Sequence, residues 1–321
     1  MNRWVQGARP RTLVAAVCPV LVGTAAAAAE GPVVAWRALA ALVVALALQV
    51  AVNYANDYSD GLRGTDTPGR LGPARLTATG LAAPAAVRRA AAAAFAVAAV
   101  AGLALAVAVD LRLLLVGAAA IAAAVLYTGG PRPYGYAGFG ELAVLVFFGV
   151  VATCGSAYVQ LERVPVTALA GSLVVGLGAV AILLANNVRD IDGDRLAGKR
   201  TLAVRLGRRR SRDLFTAVVA AMFGVAALLG LARPPVLVTL AAVPLAVVPV
   251  RLVRTRADGP GLIAALGRRP GSSSRSASCS RWGCGCHEAA LRGGWPGTPR
   301  CGRPPRRGAP GGRRGRLRAP A

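Results

Sequence analysis

Two acidic clusters, about 130 residues apart, contain the side chains of this chain that are best suited to chemistry. The first spans residues 53–60 and the second spans residues 186–194, and each lies at the end of a long apolar stretch. If both segments are helical, residues separated by three, four or seven positions share one helix face. The residues that would share a face are Asn53, Asn56, Asp57 and Asp60 in the first cluster and Asn187, Asp190 and Asp194 in the second.

The oxygen-bearing side chains of both clusters suit a divalent cation. Carboxylates at membrane depth are costly and usually functional, and Mg²⁺ prefers oxygen ligands. Asp57 and Asp60 lie about one turn apart, so both can reach one Mg²⁺, while the neighbouring asparagines add neutral oxygens or amide donors. Two facing clusters need a cation between them, and Mg²⁺ carrying a diphosphate is the candidate that these residues favour.

Asp66 follows the first cluster after a glycine-bearing segment that can fold back over the site. The alternative interpretation of this cluster is a solvated, polar helix end that turns into a loop. The acids and asparagines at helical spacing favour the functional interpretation, because acids within membrane spans are rare.

The second cluster is followed by Lys199, the only lysine in a chain that uses arginine 37 times. A lone lysine in such a chain suggests a task for a compact ammonium group, such as contact with a diphosphate. A chance lysine in a basic cytoplasmic loop is the alternative. Asp192 is expected to be a spectator, since it points about 160° away from the face that carries Asp190 and Asp194.

Two loops add aromatic and cationic groups. Residues 127–136 contain three tyrosines and Arg132 between glycines and prolines. Tyrosines such as Tyr127 and Tyr134 could stack on an aromatic substrate or shield a carbocation, and Arg132 could hold a carboxylate or phosphate oxygen. An interfacial aromatic belt is the alternative. The segment 72–80 adds Arg75 to the same side of the membrane.

The composition is that of a membrane protein, since 55% of the 321 residues are hydrophobic and only 16% are charged. A membrane helix needs roughly 20 apolar residues, and the apolar stretches are rich in the small residues that pack closely between membrane helices. We therefore predict an all-α, polytopic transmembrane bundle. The eight recognisable spans lie at about 12–29, 35–56, 85–108, 111–128, 139–160, 166–187, 213–231 and 234–251.

The net charge of +25 does not indicate a nucleic-acid partner, because the basic residues are concentrated in alternate loops between spans. The loops in between are short and nearly uncharged. By the positive-inside rule, the N-terminus and both acidic clusters face the cytoplasm, and the predicted location is the cell membrane.

Residues 267–321 differ from the rest of the chain, with 13 arginines, one acid and almost no aliphatic residues. The spacing of Cys284, Cys286 and His287 does not match a haem or zinc motif. An arginine-rich tail that binds RNA or lipid is one interpretation. We instead interpret this segment as a disordered or frameshifted tail behind a membrane domain of residues 1–266, replacing a ninth helix.

With these residues in view, the chain resembles the UbiA superfamily of intramembrane aromatic prenyltransferases. The resemblance depends on Asn56-Asp57-x-x-Asp60 and Asp190-x-x-x-Asp194, together with residues 53–60, 72–76, 127–131, 186–194 and 198–202. It covers roughly residues 1–266 and implies a helical bundle around a central cavity that opens to the lipid. The family has nine transmembrane helices, so the ninth is apparently lost here.

Within that family, the closest resemblance is to members that prenylate 1,4-dihydroxy-2-naphthoate. It implies that Mg²⁺ helps a polyprenyl diphosphate ionise and that the naphthoate ring then attacks and loses CO₂. The implied metal ligands are Asp57, Asp60, Asp190 and Asp194. The implied catalytic residues are these four with Lys199, Tyr127 and Arg132, and the implied substrate-binding residues are Asn53, Asn56, Asp66, Arg75, Asn187, Arg189 and Tyr134.

Three alternatives stay open at this point. A related enzyme could prenylate 4-hydroxybenzoate or another aromatic acceptor. A cation transporter could use the acids as an ion pathway, although its polar residues should then lie deep within several spans. The polypeptide could also be a non-functional frameshift product.

Overall fold

The computed structural model describes residues 2–65 and 75–255, and these residues form a bundle of helices without strands. Asp66 and the tail of residues 267–321 lie outside the described residues. The α-helices are α1 (Arg3–Ala8), α2 (Val14–Ala28), α3 (Ala35–Leu62), α4 (Pro84–Ala108), α5 (Leu113–Thr128), α6 (Gly140–Val144), α7 (Ala152–Leu161), α8 (Val166–Leu196), α9 (Leu202–Ala232) and α10 (Val243–Thr255). Leu145–Val151 joins α6 to α7 as a π-helical segment, and Pro10–Thr12 and Pro234–Ala242 are 3₁₀ segments.

Each of the eight predicted apolar stretches coincides with helical structure. Within the described residues, six helical segments are long and apolar enough to cross a membrane, and α1 and α2 together form a further span bent by 49°. The remaining stretch is α5, which has only 16 residues. The predicted all-α, multi-pass membrane architecture is confirmed, and the chain is a multi-pass membrane protein.

The outer surface of the bundle is apolar, as a lipid-facing surface must be. Large aliphatic side chains on the spans point outwards, including Leu115 at 75% and Leu231 at 79% exposure. A water-soluble protein of this size would bury most such residues, whereas lipid tails solvate them.

The interior is packed through small residues. Gly149 of the π-helical segment lies so close to α8 that a Cβ atom there would come within 2.8 Å of the Gly176 Cα. On α2, a Cβ at Gly23 would come within 2.1 Å of the Thr153 carbonyl oxygen. Between membrane helices, where the hydrophobic effect contributes little, such close backbone approach provides the packing energy.

The helices that carry the acidic clusters are longer than their apolar stretches. α3 continues past residue 56 to Leu62, and α8 continues past residue 187 to Leu196. Each then packs along the following helix, α3 on α4 and α8 on α9. Gly64 and Gly198 adopt positive φ angles of 64° and 72° just beyond the two helix ends, a conformation that glycine adopts without strain. The acids therefore occupy the last turns of two long helices, as their spacing predicted.

Candidate active site

Asp57 is fully buried and both of its carboxylate oxygens are bound. Its Oδ1 accepts hydrogen bonds from Arg9 and, at 2.7 Å, from Arg75 Nη1. Its Oδ2 accepts the backbone N–H of Leu76 at 3.1 Å. Two guanidinium groups and one amide thus satisfy this buried charge, which would otherwise be costly in the interior.

Asp60, one turn further along α3, binds groups from three other segments. The hydroxyl of Tyr136 donates to its Oδ1. Lys199 Nζ lies 3.2 Å from its Oδ2, and Arg75 Nη2 lies 3.8 Å from the same oxygen. Asp60 and Lys199 are both buried, and their ion pair brings the first acidic cluster together with the segment that follows the second.

The two asparagines of the first cluster hold neighbouring elements in place. Asn53 Nδ2 donates to the Ala8 carbonyl at 2.9 Å and to Thr12 Oγ1 at 3.2 Å. Asn56 Oδ1 accepts the hydroxyl of Thr128, the last residue of α5, at 2.7 Å. Both side chains are buried, and they fix α1 and α5 against α3 at the level of the acids.

The second cluster lies at the end of α8. Arg189 makes a bidentate ion pair with Asp190, with nitrogen–oxygen distances of 2.7 and 2.8 Å. Asp194 is buried, and its backbone carbonyl accepts the amide N–H of Lys199 at 2.8 Å, which places the lysine directly beside this cluster. Asp192 points outwards with a side chain that is 77% exposed, and it pairs with Arg208. The outward direction expected for Asp192 is therefore observed.

The loop between α5 and α6 covers the site from one side. Its Tyr136 carbonyl accepts the backbone N–H of Arg200 at 2.8 Å, which fastens the loop to the Lys199 segment. Burial and the neighbouring Asp60 charge raise the pKa of Tyr136 far above its usual value. The hydroxyl therefore keeps its proton and donates a hydrogen bond to Asp60. Burial likewise raises the pKa of Tyr134 to about 12.

Tyr127 lies at the centre of this arrangement. Its ring packs edge-on against Tyr134, with centroids 5.5 Å apart, and the Tyr134 hydroxyl donates to the Ala123 carbonyl at 2.8 Å. The Tyr127 hydroxyl lies against the start of α6, where a Cβ atom at Gly140 would come within 3.1 Å of the hydroxyl oxygen.

Arg132 is the predicted site residue that the structure does not bring to the acids. It is exposed, and no hydrogen bond or ion pair joins it to Asp57, Asp60, Asp190 or Asp194 within the described part of the chain. Asp66 falls outside the described residues, so its predicted place at the site stays a prediction.

Sequence reasoning missed four groups at the site. Arg9 and Arg63 were not singled out from the other basic loop residues, yet Arg9 binds Asp57, and Arg63 donates to the carbonyls of Thr128 and Gly130. The sequence did not single out Tyr136 among the three tyrosines of its loop. Glu141, at the start of a span, accepts the Asn187 amide at 2.9 Å. An acid inside an apolar stretch is the signal that could have found Glu141.

The donor chemistry of the two clusters fits Mg²⁺. Four buried or nearly buried aspartates and three asparagines supply the hard oxygen ligands that this ion takes. Among residues 2–65 and 75–255, no three His, Cys, Asp or Glu side chains converge closely enough to hold a metal ion. Asp57, Asp60 and Asp190 are instead paired with arginine or lysine side chains.

Comparison with known proteins places the chain in a family. A sequence model described as the UbiA prenyltransferase family matches residues 16–264. The 1,4-dihydroxy-2-naphthoate octaprenyltransferase of Mycobacterium tuberculosis is 51% identical over 264 residues, which are 82% of this chain and 90% of the relative. The protein of the same name from Escherichia coli is 38% identical over 215 residues, which are 65% of this chain and 70% of the relative.

Solved structures share the fold at low sequence identity. A UbiA homolog from Archaeoglobus fulgidus bound to DMAPP and Mg²⁺ superposes with a TM-score of 0.58 at 16% identity, covering 83% of this chain and 86% of that chain. A structure of the same homolog bound to GPP and Mg²⁺ gives a TM-score of 0.57. At this level of identity the likeness shows a common helical architecture.

Proposed function

The chain belongs to the UbiA prenyltransferase family, and from that premise we propose that it is a membrane prenyltransferase acting on 1,4-dihydroxy-2-naphthoate. It would transfer a polyprenyl group from polyprenyl diphosphate to the naphthoate ring, with loss of the ring carboxylate as CO₂, to give demethylmenaquinone. The relatives from Mycobacterium tuberculosis and Escherichia coli support this acceptor through the name that both carry.

The observation that carries the proposal is the buried ion pair between Lys199 and Asp60. It joins the first acidic cluster, at the end of α3, to the segment that directly follows α8 and the second cluster. A membrane protein that concentrates this many charges at one buried place has a charged substrate to bind there. A lipid with a diphosphate head group matches both the charges and the apolar helices behind them.

The cationic side chains would bind the diphosphate. Arg9, Arg75 and Lys199 now contact the carboxylates of Asp57 and Asp60, and all three can donate to phosphate oxygens instead. Arg75 can present two parallel N–H donors, whereas Lys199 contributes a compact point charge. Their exchange between carboxylate and phosphate would keep the buried charges compensated when substrate enters.

Asp57, Asp60, Asp190 and Asp194 would hold Mg²⁺, with Asn53, Asn56 and Asn187 as neutral ligands or donors nearby. The solved homolog of the same fold, which is bound to Mg²⁺ with DMAPP or GPP, supports the choice of this ion. A bound Mg²⁺ would act as a Lewis acid on the diphosphate and make it a better leaving group.

The side chains around Tyr127 would protect the reacting carbon of the prenyl group. Tyr127 and Tyr134 present aromatic surface beside the acids, and aromatic faces stabilise positive charge. Their packing also excludes water, which would otherwise capture an allylic cation. Arg132 and Asp66 stay in the proposed site on the sequence pattern alone, and Arg132 would donate to an oxygen of the diphosphate or of the acceptor carboxylate.

We also propose the orientation and the extent of the working domain. The basic loops would place the N-terminus and the acidic clusters on the cytoplasmic side of the cell membrane. The charged head group of a prenyl diphosphate would be hydrated at that surface. Residues 1–266 would carry the activity, and residues 267–321 would be a tail outside it.

The test is a prenyl-transfer assay on membranes that contain the full chain. An isoprenyl diphosphate would be supplied with dihydroxynaphthoate or with 4-hydroxybenzoate, with and without Mg²⁺. Transfer to the naphthoate that depends on Mg²⁺ supports the proposal, and transfer to 4-hydroxybenzoate alone would replace the proposed acceptor. If neither acceptor reacts, the assay is repeated with the protein expressed from a gene whose reading frame is corrected at codon 267. Absence of prenyl transfer by that protein overturns the prenyltransferase proposal.

A further inference from the structure

Glu141 differs from Asp57, Asp60 and Asp190 because it makes no ion pair with any of the residues that the structure describes. It is only 8% exposed and lies at the start of the Gly140–Leu161 span. Asp57, Asp60 and Asp190 each pair with arginine or lysine, whereas no ion pair to Glu141 exists across residues 2–65 and 75–255. The Glu141 side chain accepts a hydrogen bond from the Asn187 side-chain amide at 2.9 Å.

Glu141 lies on the membrane side of the diphosphate-binding acids. Its partner Asn187 precedes Asp190 by three residues and Asp194 by seven along α8. At about 1.5 Å of rise per residue, that places Asn187 roughly 4.5 Å and 10 Å deeper than the two aspartates. Tyr127 is adjacent, since a Cβ at Gly140 would come within 3.1 Å of the Tyr127 hydroxyl oxygen.

A purely structural role does not account for a carboxylate at this position. The π-helical segment that continues α6 is already held against α8 by the close backbone approach of Gly149 and Gly176. A glutamine would accept the same hydrogen bond from Asn187 without the cost of burying a charge. A buried carboxylate without an ion-pair partner, beside Tyr127 and the second acidic cluster, instead indicates a ligand that donates hydrogen bonds.

We propose that Glu141 accepts a hydrogen bond from a hydroxyl group of the aromatic acceptor, while Asn187 holds the carboxylate in position. This inference rests on the proposed function. Its location fits, because the ring must meet the first carbon of the prenyl chain, which lies deeper than the diphosphate. The chemical class of the ligand at this subsite is a phenolic hydroxyl on an electron-rich ring.

The hydrogen bond would assist the reaction without a net proton transfer. A phenol that donates to a carboxylate pushes electron density into its ring, which strengthens the attack of the carboxylate-bearing ring carbon on the prenyl carbon. The carbon–oxygen bond to diphosphate breaks as the new carbon–carbon bond forms. The bond to the carboxylate then breaks, CO₂ leaves, and the released electron pair restores the aromatic ring. The hydroxyl proton stays with the product.

The test compares Glu141→Gln with the wild type on both substrates. We expect kcat/KM for the acceptor to fall by about tenfold or more, while KM for the prenyl diphosphate changes by less than about twofold. Equilibrium binding of radiolabelled dihydroxynaphthoate to the purified protein should weaken by a similar factor. Glu162→Gln, at the exposed far end of the same span, is the matched control and should behave like the wild type.

Acceptors with one hydroxyl methylated give a second, sharper comparison. The wild type should discriminate against one of the two methyl ethers, and Glu141→Gln should lose most of that discrimination. Asn187→Ala keeps the carboxylate and should show a weaker effect in the same direction, which covers the case in which the Glu141 variant does not fold.

Three results would overturn the inference. They are unchanged acceptor kinetics in Glu141→Gln, equal losses for both substrates, or retained discrimination between the ethers. Each of these leaves the proposed function standing when the wild type prenylates the naphthoate. A wild type that prenylates no aromatic acceptor overturns both proposals together.

Discussion

Lys199 lies over the face of the Tyr136 ring, with its Nζ 4.6 Å from the ring centroid. The same ammonium group contacts one oxygen of Asp60, and the Tyr136 hydroxyl binds the other. One aspartate, one lysine and one tyrosine from three separate segments therefore make a closed set of contacts. The aromatic face and the carboxylate fix the position of the ammonium group, and the carboxylate compensates its charge.

Replacing Lys199 should remove activity while leaving the protein folded. Lys199→Ala loses a donor to the diphosphate and leaves Asp60 with the Tyr136 hydroxyl and the more distant Arg75, so we expect kcat/KM to fall by about a hundredfold or more. Lys199→Arg keeps the charge and should recover part of the activity. A Lys199→Ala protein with normal turnover would show that the lone lysine is a chance feature of a basic loop.

The hydroxyl of Tyr136 can be separated from its ring. Tyr136→Phe keeps the aromatic face under Lys199 and loses only the hydrogen bond to Asp60, so we expect a modest loss of activity, about three- to tenfold. Tyr136→Ala also loses the cation–π contact and should be clearly worse. Steady-state rates of the two variants, measured beside Tyr134→Phe as the control from the same loop, test this order.

The acids should differ according to the face that they occupy. Asp57→Asn and Asp190→Asn keep side-chain volume but remove a carboxylate, and each should abolish turnover that depends on Mg²⁺. Asp192→Asn should matter much less, because this side chain points to solvent and pairs with Arg208. The measurement is turnover of each variant as a function of Mg²⁺ concentration. Equal losses of activity at all three positions would contradict the assignment of Asp57 and Asp190 to the site and of Asp192 to the opposite helix face.

Asparagine is the informative substitution at Asp57 because alanine should also unfold the site. Both substitutions remove the counter-charge that Arg9 and Arg75 share, but asparagine keeps an oxygen that accepts a hydrogen bond from an arginine, whereas alanine leaves no acceptor there. Breaking one side of a buried ion pair typically costs about 3–5 kcal/mol. We therefore expect Asp57→Ala to melt at a lower temperature than Asp57→Asn in the same detergent.

Packing between α2 and α7 should depend on a single glycine. A Cβ at Gly23 would collide with the Thr153 carbonyl oxygen at 2.1 Å, so Gly23→Ala should destabilise the protein by about 1–3 kcal/mol. Gly155→Ala is the matched control, since nothing lies within 4 Å of its Cβ position, and it should be neutral or slightly stabilising. Thermal unfolding of the two variants distinguishes a packing effect from a general cost of alanine.

Hydropathy and spacing predicted the fold well. A membrane helix must hydrogen-bond all its backbone N–H and C=O groups internally and must be apolar along its length. All eight predicted stretches are helical, and the face shared by Asp57 and Asp60 follows from helix geometry alone. Both helices continue beyond their apolar stretches and through the acidic clusters, to Leu62 and Leu196, as the helical spacing of those clusters predicted.

The partners of the acids could not be predicted from the sequence. The ion pair between Arg9 and Asp57 joins positions 48 residues apart, and the one between Lys199 and Asp60 joins positions 139 apart. Such contacts depend on how the helices pack, which local patterns do not specify. Glu141 was missed for a different reason, because one acid at the end of a hydrophobic stretch changes the hydropathy of that stretch very little.

The short helix α1 has a consequence for anyone who handles this protein. It contains six residues, and Arg9 follows as its C-cap, with a left-handed backbone conformation at φ of 54° that turns the chain as the guanidinium reaches Asp57. A purification tag fused ahead of residue 2 is separated from Arg9 by this one short helix. Reduced turnover in such a fusion would then report on the tag, so kinetic measurements need a protein without a tag at this position.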